Sequence, residues 1–273
     1  MIKNNMNDTL EILVDSVKAG AKYRSIIPEL IRNIAQEELQ KRKNIKVAVK
    51  ATRSRLHQIG GAFLNSKIDY AKWLELFISL PNRQINNPIF MQTCQQMMRL
   101  HSSMDERLSI LEQFYSRTLN DIAPIHSVLD LACGLNPLAI PWMPLAQDAH
   151  YYACDIFEDM IAFLNDFLKL FHINGNVFGC DLSHQIPSQE VHLALLLKTL
   201  PCLEKLDKQI GIKLIENTRA EHILVSYPVK SLGGREKGML DTYKNHFLAI
   251  IEGSDWKIQC FEFSTELAFL LSR

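Results

Sequence analysis

Along residues 8–118 the apolar positions recur at intervals of three and four, the spacing of helices with one buried face. Leu10, Leu13, Val14 and Val17 form one stripe, and Leu30, Ile31, Ile34 and Leu39 form another after Pro28. Lys41 to Arg55 predicts a cation-rich helix that Gly60-Gly61 stops. Pro81 to Pro88, with three asparagines, reads as a loop. Helical spacing then resumes from Pro88 to Thr118, divisible at His101.

From Ile125 the pattern changes to short apolar runs alternating with helical segments, as in a parallel sheet. Strands are predicted at 127–132, 150–155, 176–181, 191–197 and 221–227, with helices at 157–171 and 203–218. Two apolar segments, 256–263 and 266–272, are parted by little more than Ser264-Thr265 and predict an antiparallel hairpin. The expected architecture is α/β: a Rossmann-like, mostly parallel sheet over 119–273, preceded by an all-helical domain over 1–118.

With 47% apolar residues in 273, the chain can bury a real core. No apolar run reaches membrane-spanning length, and Met1 to Asp8 is too polar for a signal peptide. Six widely separated cysteines, none in a C-x-x-C pair, predict a reduced, cytoplasmic protein without a zinc site. The net charge of zero conceals an asymmetry. Residues 1–100 carry 16 Lys+Arg against 8 Asp+Glu, and the remainder carries 14 against 22. The basic half suits a polyanionic partner, the alternative being a merely solvated basic surface.

The stretch Ser127-Val-Leu-Asp-Leu-Ala-Cys-Gly-Leu-Asn-Pro137 carries the clearest chemistry. An apolar strand ends in the small-residue turn Ala132-Cys133-Gly134, where backbone can approach a ligand. One glycine is too few for a nicotinamide-binding G-x-G-x-x-G, and alone the turn fits a structural bend. About twenty residues on, Asp155 closes the next strand, where an acid would bind ribose hydroxyls. Asp181 closes the third and could accept from an adenine amino group. Any one of these acids could be a helix cap. The three features in this order predict S-adenosylmethionine (SAM) as cofactor, with S-adenosylhomocysteine as product.

The chain also resembles the aminoglycoside-resistance 16S rRNA methyltransferases that modify guanine N7 in the decoding site. The likeness runs from about Lys22 to the end. It rests on Arg53-x-Arg55-Leu-His-x-x-Gly-Gly-Ala-Phe63, Leu100-His-Ser-Ser-x-x-Glu-Arg-Leu108, Leu129-Asp-x-Ala-Cys-Gly-Leu-Asn-Pro137, Lys198-Thr-Leu-Pro-x-Leu-Glu204 and Ser226-Tyr-Pro-x-Lys-Ser-Leu-Gly-Gly-Arg-x-Lys-Gly-Met239. It implies a class I SAM-dependent methyltransferase fold. It also implies that His101, Ser102 and Ser103 line the methionine end of SAM, and that Arg107 pairs with its carboxylate, a geometry suited to a guanidinium. Without the motif, Arg107 would be assigned to Glu106 or Glu112.

Phe63, Ala132, Leu182 and Leu197 are implied as further cofactor contacts, and Gln209 too if two extra residues are allowed after Pro201. Tyr227 and Pro228 would belong to the pocket for the target base, or simply form a strand exit. Ser231 and Arg235 would help to position the base. Lys230, Arg235 and Lys237 in a glycine-rich loop, with Lys46, Lys50, Arg53 and Arg55, would meet rRNA phosphates. The partner implied is the 30S subunit, met by a monomer with neither metal nor membrane. Guanine N7 has no proton to lose, so no general base is nominated. A methyl there leaves positive charge that would repel drugs such as gentamicin and kanamycin. The basic half disfavours a small-molecule methyltransferase but does not fix the nucleotide, so a SAM-dependent methyltransferase of another RNA position is the alternative. The intact acids and the Arg107 helix disfavour the other rival, a non-catalytic RNA-binding protein.

Overall fold

Seven strands form one sheet in the computed structural model of the chain, which describes residues 2–42, 44–60, 68–81, 84–205, 207–229 and 239–273. They are β1 (Ile125–Leu131), β2 (Leu145–Asp155), β3 (Asn174–Gly179), β4 (Val191–Leu197), β5 (Ala220–Pro228), β6 (Lys257–Glu262) and β7 (Glu266–Ser272). Their order is β3-β2-β1-β4-β5-β7-β6. The first five are parallel, and β7 inserts antiparallel between β5 and β6. The order reverses at β1, which pairs with both β2 and β4, so a crevice is expected above its carboxyl end.

Alternation along the strands gives the sheet two buried faces. Val128, Leu193, Leu195 and Leu224 point into one cluster, while Leu129, Ala194, Leu196 and Val225 point into the other.

Eleven α-helices are described: α1 (Ile2–Lys18), α2 (Pro28–Lys41), α3 (Ile45–Gly60), α4 (Tyr70–Ile78), α5 (Pro88–Met98), α6 (Ser102–Leu108), α7 (Leu111–Leu119), α8 (Glu158–Leu170), α9 (Leu200–Leu203), α10 (Ile210–Asn217) and α11 (Met239–Ile250). The predicted helix from Lys41 to Arg55 is interrupted. Arg42 is extended, and the Asn44 side chain accepts from the amides of Lys46 (2.9 Å) and Val47 (3.3 Å), starting a new helix. The stretch 88–118 is three helices rather than one or two. The helix predicted at 203–218 starts only at Ile210, after the short α9 that ends at Leu203, with Asp207 accepting from the Gln209 amide just ahead of it.

The change of pattern near residue 119 is not a break in packing. Phe77 of α4 and Phe90 of α5 meet Phe167 of α8, and Phe114 of α7 lies in the same cluster as Val128. Helices α1–α3 have a core of their own, including Leu13, Leu30, Ile34 and Leu56. The segment joining α1 to α2 stitches them to the end of β2. The Ile27 amide donates to Ile156 O (2.9 Å) and the Glu158 amide to Ser25 O (2.6 Å). No described helix is long and apolar enough to cross a membrane.

Candidate active site

The crevice above β1 is a cleft of about 770 Å³, part of it open to solvent. It begins with the turn after β1, where Ala132 (φ 55°) and Gly134 (φ 52°) adopt the left-handed conformation. For Ala132 this costs roughly 1–2 kcal/mol. The turn is held from the next strand. Asp155 accepts from the Gly134 amide through Oδ2 (2.8 Å) and from the Ile156 amide through Oδ1 (2.6 Å). Burial raises the Asp155 pKa, and the amides of Gly134, Ile156 and Phe157 oppose it. On the other side, a Cβ at Gly134 would stand 2.8 Å from His101 Nε2. Asp155 and His101 thus fix the turn between them.

The structure brings His101, Ser103, Ala132, Gly134, Asp155, Asp181, Leu182 and Leu197 together around this cleft. With the Phe157 amide also close, Asp155 keeps one of its four acceptor positions for a ligand. Asp181 does not. It accepts from Asn33 (2.9 Å), from the Ser183 amide (3.0 Å) and from the Ser183 hydroxyl, and meets His184 Nδ1 at 3.0 Å. An adenine amino group would have to displace one of these.

Ser102, half-buried at the start of α6, is not in the wall. Gln209 is exposed just ahead of α10 and is not in the cleft wall. Phe63, Lys230, Ser231, Arg235 and Lys237 lie outside the described residues.

Arg107 differs most from expectation. It is buried, and it faces Glu266 in a two-pronged pair, Nε to Oε1 at 2.7 Å and Nη2 to Oε2 at 2.9 Å. Its Nη1 donates to Asn136 Oδ1 at 3.1 Å, and the guanidinium lies over the Phe114 ring at 4.8 Å. Neither Glu106 nor Glu112 is its partner, and the guanidinium is not in the cleft wall. Lys198 takes the position by the cleft instead. Its Nζ donates to Glu106 (2.7 Å) and to Ser103 O (3.0 Å), and lies 3.3 Å from Glu266. Burial pushes the Glu266 pKa up, but Arg107 and Lys198 outweigh it and hold it below the ordinary value.

Lys198 and Thr199 open one of the quoted motifs but were given no site role from sequence, yet they follow the end of β4, where the strand-end rule that selected Asp155 also points. Asn136 is a further unforeseen hub, donating to Asp130 Oδ2 at 2.8 Å while accepting from Arg107 and Tyr115.

Tyr227 is core rather than pocket. It is fully buried, stacked on Tyr243 and edge-on to Phe247 and Phe269. Pro228 is half-buried at the end of β5, paired with Glu266. Of the expected phosphate-binding cations, Lys46 and Lys50 are exposed on α3. Arg53 donates to Ser16 O and packs over Tyr23. Arg55 pairs with Glu37 (2.6 Å) and Glu38 (3.2 Å). These two arginines hold α3 to α1 and α2.

Two buried groups give a pH test of this packing. Burial, then the charges of Lys198 and Arg107, push the His101 pKa down to about 4. Its contribution to stability is therefore full above about 6.5 and is lost as pH falls towards 4. Burial raises the Asp130 pKa to about 6, against hydrogen bonds from Tyr151 and Asn136. Its contribution is present below about 4 and lost as pH rises through 6. Each amounts to about 3 kcal/mol. In urea melts without cofactor, the stability advantage of wild type over His101→Asn should shrink by about that much between pH 6.5 and 4. The advantage over Asp130→Asn should grow across the same range. A pH-independent difference in both cases would contradict the burial of these groups.

Comparison with known proteins places this geometry in context. The profile of the family described as ribosomal RNA methyltransferase (FmrO) matches residues 19–270. The chain is 32% identical to a 16S rRNA (guanine(1405)-N(7))-methyltransferase of Micromonospora echinospora, over 97% of each chain. It is 30% identical to one of Micromonospora rosea over the whole of both. Among solved structures it is similar to the 16S rRNA methyltransferase RmtF in complex with S-adenosyl-L-homocysteine (TM-score 0.80, 29% identity, 97% of this chain and 98% of that one). The 16S rRNA methylase RmtB is similar too (TM-score 0.78, 25% identity, the same coverage).

Proposed function

The chain belongs to the ribosomal RNA methyltransferase (FmrO) family, and from that premise we propose that it transfers a methyl group from SAM to N7 of guanine 1405 of 16S rRNA. The substrate form is the assembled 30S subunit, in the cytoplasm, and the outcome is resistance to aminoglycosides that bind the decoding site. The observation that carries the reading is the turn at Gly134, clamped by Asp155 above the switch point of the sheet.

The cleft suits SAM by the chemistry of its wall. Asp155 offers an open acceptor position to a ribose hydroxyl, and Leu182, Leu197 and Leu203 offer apolar surface to a base. Bound SAM supplies an electrophilic methyl group on its sulfonium.

The chain's own contribution is alignment, which can lower a barrier by several kcal/mol without acid–base chemistry. Nothing in the cleft needs to take a proton, because guanine N7 attacks through a lone pair. His101 suits such a site, since its depressed pKa leaves it neutral at pH 7. A stacked base must leave its helix to reach a cleft of this depth. Pro228, Ser231 and Arg235 are proposed to hold it there, with Lys230 and Lys237 on neighbouring phosphates.

Helix α3 links the rRNA surface to the cleft. Its last residues, Ile59 and Gly60, line the cleft, while Lys46 and Lys50 stand exposed roughly 15–20 Å back along its axis. The test is methyl transfer from labelled SAM to 30S subunits and to naked 16S rRNA, with N7-methyl-dependent strand cleavage to find the modified base. Cleavage at guanine 1405 in 30S alone is expected. Labelling at another base would overturn the target assignment. In the same assay Lys46→Glu with Lys50→Glu should raise KM for 30S roughly tenfold and lower the salt slope by about 2, leaving kcat nearly unchanged.

A further inference from the structure

The opposite end of the sheet from the cleft carries a second cluster of chemical groups. His126, His192 and His222 stand near the starts of β1, β4 and β5, separated in sequence but adjacent in space. The rings of His192 and His222 are 5.2 Å apart, and those of His126 and His192 are 5.9 Å apart. Glu221 joins them: one ligand atom each from His192, Glu221 and His222 lie within 4.8 Å of one another. The two histidines are half-buried and Glu221 is exposed, all in the wall of one open cavity.

We propose that His192, Glu221 and His222 bind a single divalent transition-metal ion of the zinc class, bracing β4 against β5. Two imidazoles and a carboxylate are a donor set for such an ion rather than for calcium or magnesium, which prefer all-oxygen shells.

The surroundings support the ligands. His222 Nδ1 lies 2.8 Å from Ser272 Oγ, which orients the ring and leaves Nε2 for a metal. The His192 main-chain amide donates to Ser127 Oγ at 2.9 Å, fixing its place beside β1. The His192 Nδ1 contact with the His126 amide is long, at 3.4 Å, and yields readily as the ring turns to an ion. Tetrahedral zinc places neighbouring ligand atoms about 3.4 Å apart, so closure needs side-chain shifts of about 1 Å, most of them by the exposed Glu221. Two cations share the cavity wall, but both have partners. Arg219 meets Glu190 at 3.3 Å, and Arg273 stacks over Trp256 at 4.2 Å.

The test is calorimetric titration of the full chain with Zn²⁺ alone, near pH 7.5, without SAM or ribosomes. Wild type should take up one equivalent. His192→Gln and His222→Asn should each weaken uptake at least about tenfold, Glu221→Gln less, with melting in EDTA close to wild type. Protein loaded with Co²⁺ should show d–d bands without a thiolate charge-transfer band, setting the site apart from the six cysteines. Failure of wild type to bind, unaltered binding by both histidine variants, or thiolate bands would overturn the proposal. None of these readouts passes through methyl transfer, so the activity proposed for the cleft stands or falls separately.

Discussion

Glu266→Gln should destabilise the protein by about 3–5 kcal/mol and lower its melting midpoint by on the order of 10 °C. The substitution keeps the shape of the side chain and removes only its charge. Arg107 and Lys198, both buried, would then face each other with their shared carboxylate gone. Lys198 would keep Glu106, but Arg107 would retain only the neutral Asn136 and its more distant neighbours. Removing one member of a buried pair costs more than the pair contributes, because the survivor is left without compensation. Thermal or urea unfolding of the cofactor-free protein checks this. A change below 1 kcal/mol would show that the cluster is solvated in solution. The experiment also separates two roles for Arg107. As an anchor for Glu266 it should affect the free protein. As a ligand of the SAM carboxylate, Arg107→Lys would weaken SAM while leaving the free protein intact.

Gly134→Val should weaken SAM binding at least about 100-fold, or 2.7 kcal/mol, with a smaller effect on stability. Two independent constraints act there. At φ 52° a β-branched residue is strongly disfavoured, and the new Cβ would meet the buried His101 ring at 2.8 Å. His101 has little freedom to retreat, since its Nδ1 is hydrogen-bonded to Ser103 Oγ at 2.9 Å. The turn must therefore move, pulling the Gly134 amide from Asp155 and disturbing the carboxylate offered to the ribose. Calorimetric titration with SAM measures the effect. Affinity within threefold of wild type would remove this turn from the cofactor site.

Local signals served well where structure is local. Alternating runs marked the five parallel strands and the hairpin, and the interval from the glycine turn to the next strand end marked Asp155. They failed where the deciding contact is distant. Nothing near Arg107 in sequence identifies Glu266, 159 residues later, so the protein partner that the fold supplies could not be read beside the ligand that the motif implied. Tyr227 was assigned to a base pocket or a strand exit because its cover comes from α11, which the hydrophobic pattern did not disclose, and from Phe269 of β7. Helical spacing put Arg53 and Arg55 on one helix with Lys46 and Lys50. Only packing against α1 and α2 decides which of them turn inward.

The separation of Arg107 from Glu266 also matters while the chain is being made. At synthesis rates of about 5–20 residues per second, Glu266 follows Arg107 by roughly 8–32 s. Throughout that interval α6 carries a cation whose burial has no matching anion, so its docking against the growing sheet is disfavoured until the hairpin arrives. Docking of α6 is thereby tied to the closing of the last strand pair, whose Glu266 supplies the charge that Arg107 needs on burial.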